Sequence, residues 1–278
     1  MPAEDAAARR AAVLGHPVAH SLSPVLHRTA YAELGLPWEY DRVDVTPEQL
    51  PAFLDGLDAS WAGLSLTMPL KAAVLPLLHE VDPVAAATGA ANTVVLGPDG
   101  RRRGWNTDVD GLVVALRERG PLPPHPTAGV VGGGATARSA VAALARLGAA
   151  TVLVALRRPE AAADLRSTAL AAGVGLEVVG WDGVDDVLAR DVVVSTVPSG
   201  AADPLALRLP ARPGVLLDVV YDPWPTPLAR AWADAGGAVS FGLDLLLHQA
   251  VRQVELMTGR TPSTAGLRAA LEAAAGAR

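Results

Sequence analysis

Residues 127–138 have the sequence Thr-Ala-Gly-Val-Val-Gly-Gly-Gly-Ala-Thr-Ala-Arg. The first five are typical of a buried strand, and an alanine-rich helix to about residue 147 and a second strand at 151–155 follow. The pattern Gly132-x-Gly134-x-x-Ala137 therefore lies at a strand–turn–helix junction, where a dinucleotide pyrophosphate binds backbone N–H groups at the helix N-terminus. Because the third position is Ala, a glycine-rich turn without a ligand stays open as an alternative.

The residues after the second strand bear on the choice of cofactor. The strand runs into Ala155-Leu156-Arg157-Arg158, with no carboxylate where NAD-binding proteins hydrogen-bond the ribose 2′-hydroxyl. Guanidinium groups form paired, charge-assisted hydrogen bonds to a phosphate. The two arginines therefore favour NADP over NAD, and two solvated arginines after a strand are the alternative.

Apolar runs alternate with helical patterns along nearly the whole chain, which is typical of an α/β fold with mostly parallel strands. The segment 120–126 is the clearest helix-breaking cluster, since it is rich in proline. The patterns predict strands near residues 11–14, 39–45, 63–67, 91–95, 191–195 and 214–218, and helices near 24–34, 48–56, 71–78, 83–88, 106–119, 243–257 and 262–275.

Composition excludes several classes of protein. With 278 residues, 50% of them hydrophobic, the chain is long enough for two domains with large cores. The net charge of −6 argues against a nucleic-acid partner, because the one dense basic run, 101–103, is expected to be a solvated strand edge. The chain has no cysteine, and His16, His20 and His27 have no Glu at a zinc-motif spacing, so no metal is expected. No apolar run reaches the ~18 residues of a membrane span, and we expect a cytoplasmic protein without a membrane partner.

Lys71 is the only lysine among the 23 Lys and Arg residues, and it ends the run Gly63-Leu-Ser-Leu-Thr-Met-Pro-Leu-Lys71. An ammonium is a compact charge that can lose its proton when its surroundings lower its pKa, whereas a guanidinium stays charged and planar. Lys71 is therefore a candidate for proton transfer. The alternative is a coding bias toward Arg that left one Lys by chance.

Further polar clusters stand in otherwise apolar surroundings. Each has a local explanation: Ser23, for example, would cap a helix starting at Pro24. Together they supply hydroxyl, amide and carboxylate groups that would bind a small polyhydroxylated acid. The clusters are Ser21-Leu-Ser23, Thr67, Asn92-Thr93, Asn106-Thr-Asp108 and His248-Gln249.

Seven motifs occur in the order found in the shikimate dehydrogenases, and the chain resembles that family from residue 13 to about 259. The motifs are Gly15-His-Pro-Val-Ala-His-Ser21-Leu-Ser23-Pro24, Leu66-Thr-Met-Pro-Leu-Lys71, Ala91-Asn92-Thr93, Asn106-Thr-Asp108-x-x-Gly111, Gly132-Gly-Gly-Ala-Thr-Ala-Arg138, Asp218-Val-Val-Tyr221-Asp-Pro-Trp-Pro-Thr226-Pro-Leu and Gly242-Leu-Asp-Leu-Leu-Leu-His-Gln249-Ala250.

The resemblance implies two domains and an activity. Residues 1–103 plus 240–278 would form an α/β substrate-binding catalytic domain, and 104–239 a Rossmann-type, doubly wound NADP-binding domain. The implied reaction is the reversible reduction of 3-dehydroshikimate to shikimate by NADPH, a step of aromatic amino-acid biosynthesis. The sequence leaves open whether the protein is a monomer or a homodimer.

The resemblance also implies roles for individual residues. Lys71 and Asp108 match the catalytic pair. The positions that match substrate contacts are Ser21, Ser23, Thr67, Asn92, Tyr221 and Gln249. The positions at or beside the cofactor are Gly132, Gly133, Gly134, Ala135, Arg157, Arg158 and Gly242.

Two departures from the family pattern leave alternatives. Ser65 stands where the family commonly has Asn, which alters a hydrogen bond near Lys71, and Leu156 stands where it often has Asn before the adenosine-site Arg. A quinate/shikimate dehydrogenase with mixed NAD and NADP use is therefore one alternative. A nucleotide-binding regulator that kept the fold without catalysis is another.

Overall fold

The structure, a computed structural model, describes residues 7–276. Contacts between residues divide the chain into two compact units. The first contains the described residues up to Ala86, Ala90–Thr107 and those from Leu247 onward, and the second contains Ala87–Gly89 and Asp108–Leu246. The chain thus leaves the first unit after Thr107 and returns to it within a helix.

The first unit is built on a mixed sheet of six strands in the order β2-β1-β3-β5-β6-β4. Its strands are β1 Arg10–Gly15, β2 Glu39–Asp44, β3 Trp61–Leu66, β4 Glu80–Val81, β5 Thr93–Leu96 and β6 Arg102–Trp105. Strands β1, β2 and β3 are parallel, while β5 runs antiparallel to both β3 and β6. The expectation of mostly parallel strands therefore fails for β5.

Helices of the first unit cover this sheet. They are α1 Ser23–Glu33, α2 Leu50–Asp55, α3 Leu70–Ala73, most of α4 Pro83–Thr88, the greater part of α10 Gly242–Thr258, and α11 Thr264–Gly276, with a 3₁₀ turn at Leu75–Leu77. Strand β3 is buried along its whole length, so it lies at the centre of the core. Its apolar face packs with Leu14, Leu70 and Val94 in one cluster.

The second unit is built on a fully parallel sheet in the order β12-β11-β10-β7-β8-β9. Its strands are β7 Ala128–Val131, β8 Thr151–Ala155, β9 Gly175–Val179, β10 Val192–Ser195, β11 Val215–Asp218 and β12 Ala238–Phe241. The chain builds outward from β7 through β8 to β9 and then crosses back to β10 on the other side of β7. This is the Rossmann order, with its switch point between β7 and β10, as the sequence predicted.

The second unit has five complete α-helices among the described residues, of which α6 and α7 are alanine-rich. They are α5 Asp108–Arg117, α6 Ala135–Arg146, α7 Ala163–Ala172, α8 Val184–Leu188 and α9 Pro227–Asp234, with 3₁₀ turns at Pro159–Ala161, Trp181–Gly183 and Asp203–Leu207. Helix α6 buries Ala137, Ala140, Val141 and Leu144, the i, i+3, i+4, i+7 stripe of an amphipathic helix.

The borders of the units differ from the expected domain limits of 103/104 and 239/240. Strand β6 pairs with β5 as far as Trp105, which keeps residues 104–107 with the first sheet. Strand β12 pairs with β11 as far as Phe241, and Asp244 accepts hydrogen bonds from Arg119 and Ser240, so the chain stays in the second unit to Leu246.

The basic run 101–103 is neutralised by carboxylates. Arg101 pairs with Glu80, Arg102 with Asp55 and Arg103 with both Asp99 and Glu80. Between residues 7 and 276, no helix combines the length and apolar character needed to cross a membrane. In the same part of the chain, no three His, Asp or Glu side chains cluster as a metal site would require.

Candidate functional site

Candidate substrate residues of the first unit come together at one edge of its sheet. Strands β1 and β3 are parallel and β5 is antiparallel to β3, so the ends of the first two and the start of the third share an edge. Ser21 and Ser23 follow β1, Thr67 and Lys71 follow β3, and Asn92 immediately precedes β5. Backbone hydrogen bonds hold this edge, from Thr67 N to Leu14 O at 2.9 Å and from Leu66 N to Asn92 O at 2.7 Å.

The two serines lie where the chain turns into α1. The helix begins at Ser23 itself, Leu22 is its N-cap, and no side chain caps it. The expected capping role of Ser23 is therefore wrong, and its buried hydroxyl interacts with the Tyr40 hydroxyl instead. The Ser23 N–H donates to Ser21 Oγ at 3.3 Å, which ties the serines to each other.

Thr67 and Lys71 are presented by a single tight turn. Leu70 N donates to Thr67 O at 2.8 Å, and α3 starts at Leu70, so Lys71 lies in its first turn. Lys71 is half-buried, and its carbonyl accepts from Ala91 N at 2.8 Å, next to Asn92 in the chain. The lysine is thereby anchored at the same sheet edge as Asn92.

Asn92 and Gln249 are brought into direct contact. Asn92 Nδ2 donates to Gln249 Oε1 at 3.3 Å, although 157 positions separate the two residues. Asn92 Oδ1 accepts from Thr93 Oγ1 at 2.8 Å and from Thr107 N at 2.9 Å. Both amides are nearly fully buried. Asp108 follows Thr107 in the chain, and its buried carboxylate begins α5.

Gln253 lies beneath this edge, and sequence analysis did not single it out. Its Nε2 donates to Asn92 O at 3.1 Å and to Thr93 Oγ1 at 3.0 Å. Its Oε1 accepts from Ser65 Oγ at 2.8 Å and lies 3.1 Å from His27 Nε2. Every hydrogen-bonding position of this buried amide is thus used. Its spacing of four residues from Gln249 on α10, one helical turn, was the signal in the sequence.

His27 and Tyr40 complete this buried network. Their rings stack with centroids 4.0 Å apart, and burial lowers the pKa of His27 to about 4 against a smaller opposing effect of Gln253. A neutral imidazole fits the geometry, because Nε2–H can donate to Gln253 while Nδ1 accepts from Tyr31 Oη at 3.2 Å. Tyr40 Oη donates to Ser65 Oγ at 2.6 Å, and burial raises the pKa of Tyr40. Ser65 therefore directs its hydrogen bonds to Tyr40 and Gln253.

In the second unit, the glycine turn joins β7 to α6. Gly132 has φ +111°, and a Cβ there would lie 2.5 Å from Thr196 Oγ1. A Cβ on Gly134, in contrast, would meet nothing within 4 Å. Helix α6 starts after Gly134 at Ala135 without a side-chain cap, so its first N–H groups are left for a ligand. This cradle fits a dinucleotide pyrophosphate.

The residues expected near the adenosine of the cofactor differ in their exposure to solvent. Arg157 and Arg158 are exposed directly after β8. Leu156 is buried, and a Cβ on Gly133 would lie 2.8 Å from its Cδ2. Leu156 thus packs beneath the glycine turn, and the polar contact that the family often has is replaced by an apolar one.

Asp218 holds the loop that carries Tyr221. Its carboxylate ends β11, accepts from Thr226 Oγ1 at 2.8 Å and from Val220 N at 3.3 Å, and is almost fully buried. Burial raises the pKa of Asp218, and the Thr226 hydroxyl lowers it. Tyr221 is half-buried, and a Cβ on Gly242 would lie 3.0 Å from its ring and closer still to the Val219 carbonyl.

Asp244 fixes the start of α10 beside Gly242. Its buried Oδ2 accepts from Arg119 Nη2 at 2.9 Å, Ser240 Oγ at 2.9 Å and Phe241 N at 3.3 Å. Three donors on one oxygen compensate the cost of burying the charge. The sequence analysis did not identify this pair, because 125 positions separate Arg119 from Asp244.

The parallel sheet and its glycine turn define the class of the protein: two-unit α/β proteins with a Rossmann-type dinucleotide-binding unit. A family model described as the shikimate dehydrogenase substrate binding domain matches residues 13–94, and one described as the shikimate 5'-dehydrogenase C-terminal domain matches 242–272. The shikimate dehydrogenase (NADP(+)) of Methylobacterium radiotolerans is 41% identical over 91% of this chain and 92% of its own. The chain belongs to the shikimate dehydrogenase family.

Solved structures agree with this assignment. The shikimate dehydrogenase of Mycobacterium tuberculosis has a TM-score of 0.88 and 43% identity, covering 95% of this chain and 99% of that one. The shikimate 5-dehydrogenase of Thermus thermophilus in complex with NADP(H) and shikimate has a TM-score of 0.84 and 35% identity, covering 96% and 99%. A quinate dehydrogenase from Corynebacterium glutamicum in complex with NAD has a TM-score of 0.87 and 30% identity, covering 96% and 99%.

Proposed function

We propose that this chain catalyses the NADP-dependent, reversible reduction of 3-dehydroshikimate to shikimate. One observation supports the proposal: residues with hydroxyl, amide and ammonium groups lie at three strand ends on one edge of the first sheet, where Asn92 contacts Gln249 of α10, in a family of NADP-dependent shikimate dehydrogenases. This set of groups suits a small acid with several hydroxyls. The substrate belongs to aromatic amino-acid biosynthesis, and a cytoplasmic location is proposed with it.

We propose that Lys71 and Asp108 carry the chemistry. NADPH, when bound, supplies the hydride, and charge then develops on the ketone oxygen. Lys71 donates the proton to that oxygen and stabilises its charge, and Asp108 orients the ammonium. An ammonium suits this work because it can release a proton, which a guanidinium does not.

We propose the remaining roles by ligand. Ser21 and Ser23 bind the substrate carboxylate, and Thr67, Asn92, Tyr221 and Gln249 bind its ring hydroxyls. Gly133, Gly134 and Ala135 offer backbone N–H groups to the pyrophosphate, Gly132 shapes the turn while its own N–H donates to Ala155 O at 3.1 Å, and Gly242 lies near the nicotinamide. The proposed partners are thus small molecules, and we propose no binding to nucleic acid or to a membrane. A homodimer is kept as an alternative to a monomer.

The assay is initial-rate NADP reduction with shikimate by the purified chain. We expect turnover with shikimate that depends on NADP. NADPH binding with no turnover on any ring acid would instead favour the non-catalytic regulator.

The cofactor preference rests on Arg157 and Arg158. Charged hydrogen bonds are worth roughly 1.5–3 kcal/mol, so replacing either arginine with Ala is expected to raise the KM for NADP by about tenfold or more and to leave that for NAD unchanged. Arg230, exposed on α9, is the matched control. Equal effects on both cofactors would contradict a 2′-phosphate contact.

A quinate/shikimate dehydrogenase is the second candidate function. It is favoured by the structural match to an NAD-bound quinate dehydrogenase and by the apolar Leu156 beneath the glycine turn. Catalytic efficiencies for shikimate and quinate, each with NADP and NAD, separate the two candidates. A catalytic efficiency for shikimate with NADP that exceeds each of the other three by more than about tenfold favours the first candidate.

A further inference from the structure

The carbonyl of Ser21 is held by a guanidinium. Arg42 Nε donates to Ser21 O at 2.9 Å and Arg42 Nη2 donates to the same oxygen at 2.7 Å. Arg42 lies on β2, opposite Val13 of β1, so its strand runs beside the one that leads into the Ser21 connection. A planar fork of two donors fixes both the position and the plane of its acceptor.

The same connection is tied to β2 at its other end. His16 Nδ1 and Asp44 Oδ1 lie 2.6 Å apart, and Val45 N donates to Gly15 O at 3.0 Å. Asp44 is thereby engaged with His16, while the fork of Arg42 goes to the carbonyl of Ser21. Two side chains of one strand thus hold residues 16–21 at both ends.

The hydroxyl of Ser21 can act as a donor. Its Oγ accepts the N–H of Ser23, which occupies one lone pair, and its rotatable O–H can donate to a further acceptor. A carboxylate is such an acceptor. The Arg42 guanidinium, bound to the carbonyl of the same residue, adds positive charge near the Ser21 hydroxyl, which favours an anion there.

We propose that Arg42 is a positioning residue for the carboxylate of the substrate. It acts through the peptide of Ser21, by holding the backbone that carries the serine hydroxyl and by supplying the positive charge that the two serines lack. This inference rests on the proposed function. It explains how neutral hydroxyls can select an acid.

The test uses Arg42→Met, Arg42→Lys and a matched control, Arg28→Met. Arg28 also binds a β2 carbonyl, donating from Nε to Tyr40 O at 2.8 Å, and it pairs with Asp41, but it touches neither serine. We expect Arg42→Met to raise the KM for shikimate about five- to tenfold, with kcat and the KM for NADP within about twofold of wild type. Arg42→Lys should recover part of the loss, and Arg28→Met should resemble wild type.

Shikimate methyl ester, which has no carboxylate charge, distinguishes positioning from general damage. On the ester, Arg42→Met and wild type are expected to have the same KM, because no carboxylate is present for Arg42 to favour. An unchanged KM for shikimate in Arg42→Met, or an equal defect on the ester, would overturn the inference while wild-type turnover leaves the proposed function intact. A wild-type chain without shikimate turnover would overturn both.

Discussion

Lys71 shows at the scale of one residue how position turns a side-chain type into a candidate catalyst. It is half-buried in the first turn of α3, and its backbone is held by Ala91 beside Asn92. Arg28, Arg101 and Arg102, by comparison, are engaged with carboxylates on the surface of the same unit. A guanidinium serves at those positions as well as an ammonium would.

Replacing Lys71 with Arg is expected to lower kcat at least about a hundredfold, because a positioned proton donor contributes roughly 10²–10⁴-fold to a rate. The KM for NADP should be unchanged. Steady-state kinetics with shikimate measure both. Arg101→Lys, the reverse exchange at an exposed ion pair, is the control and should have wild-type activity. Near-normal turnover by Lys71→Arg would make coding bias the better account of the lone lysine.

At the scale of an element, the glycine turn before α6 separates a structural glycine from one expected to serve a ligand. Gly132 is needed by the fold, since its φ is +111° and a side chain would meet Thr196. Gly134 has space around it. The two positions look alike in the sequence, and only the backbone conformation distinguishes them.

Gly132→Ala is expected to lower the free energy of unfolding by about 1–3 kcal/mol through strain at a positive φ. Gly134→Ala should leave stability within about 0.5 kcal/mol of wild type but raise the KM for NADP, because the methyl group would lie where the pyrophosphate binds. Urea unfolding and initial rates measure the two effects. A stable Gly134→Ala variant with unchanged NADP kinetics would contradict the assignment of the cradle.

Asp244 stabilises another element, the start of α10 beside Gly242. Asp244→Ala is expected to cost about 2–4 kcal/mol of unfolding free energy, because it removes a buried acceptor and leaves Arg119 without that partner. Asp164→Ala is the control, since Asp164 is 76% exposed in its pair with Arg138 and should contribute less than about 1 kcal/mol. Equal losses of unfolding free energy in Asp244→Ala and Asp164→Ala would show that burial of the carboxylate does not determine how much each ion pair contributes to stability.

At the scale of the whole molecule, buried titratable groups set the response of stability to pH. The pKa of His27 is lowered to about 4 by burial, so the unfolded chain takes up a proton near its ordinary value of 6.5 while the folded chain does not. The stabilisation from the neutral ring is complete above pH 6.5 and is lost as pH falls toward 4. Asp218, whose pKa burial raises, acts in the opposite sense, since its stabilising effect declines as pH rises.

His27→Gln isolates the histidine, because the amide keeps a donor toward Gln253 but does not titrate. Between about pH 7 and pH 5 we expect wild type to lose about 2 kcal/mol more unfolding free energy than the variant. The opposing change at Asp218 is common to both proteins and cancels. Parallel stability curves in urea would contradict a neutral buried His27.

Local patterns in the sequence predicted much of the second unit. The four residues of β7 before Gly132 are small or apolar and buried, and the alanine-rich helix α6 is buried over most of its length, so β7, the turn and α6 follow from local patterns and steric rules. Strands β4, β9 and β12 were not predicted, and β6 was expected only as a solvated strand edge at 101–103. Strand β6 begins with two arginines, and β9 alternates exposed with partly buried residues, so neither has the apolar run of a central strand.

The sequence by itself determined the α/β class, the Rossmann turn and which side chains are chemically suited to the proposed reaction, because these depend on residue type and short spacing. Only the tertiary structure decided that Gln249 touches Asn92, that Gln253 and His27 support them from below, that Arg42 holds Ser21 and that Asp244 binds Arg119. The physical reason is that these contacts join residues distant along the chain, and their formation depends on strand order and register. No local pattern encodes either quantity.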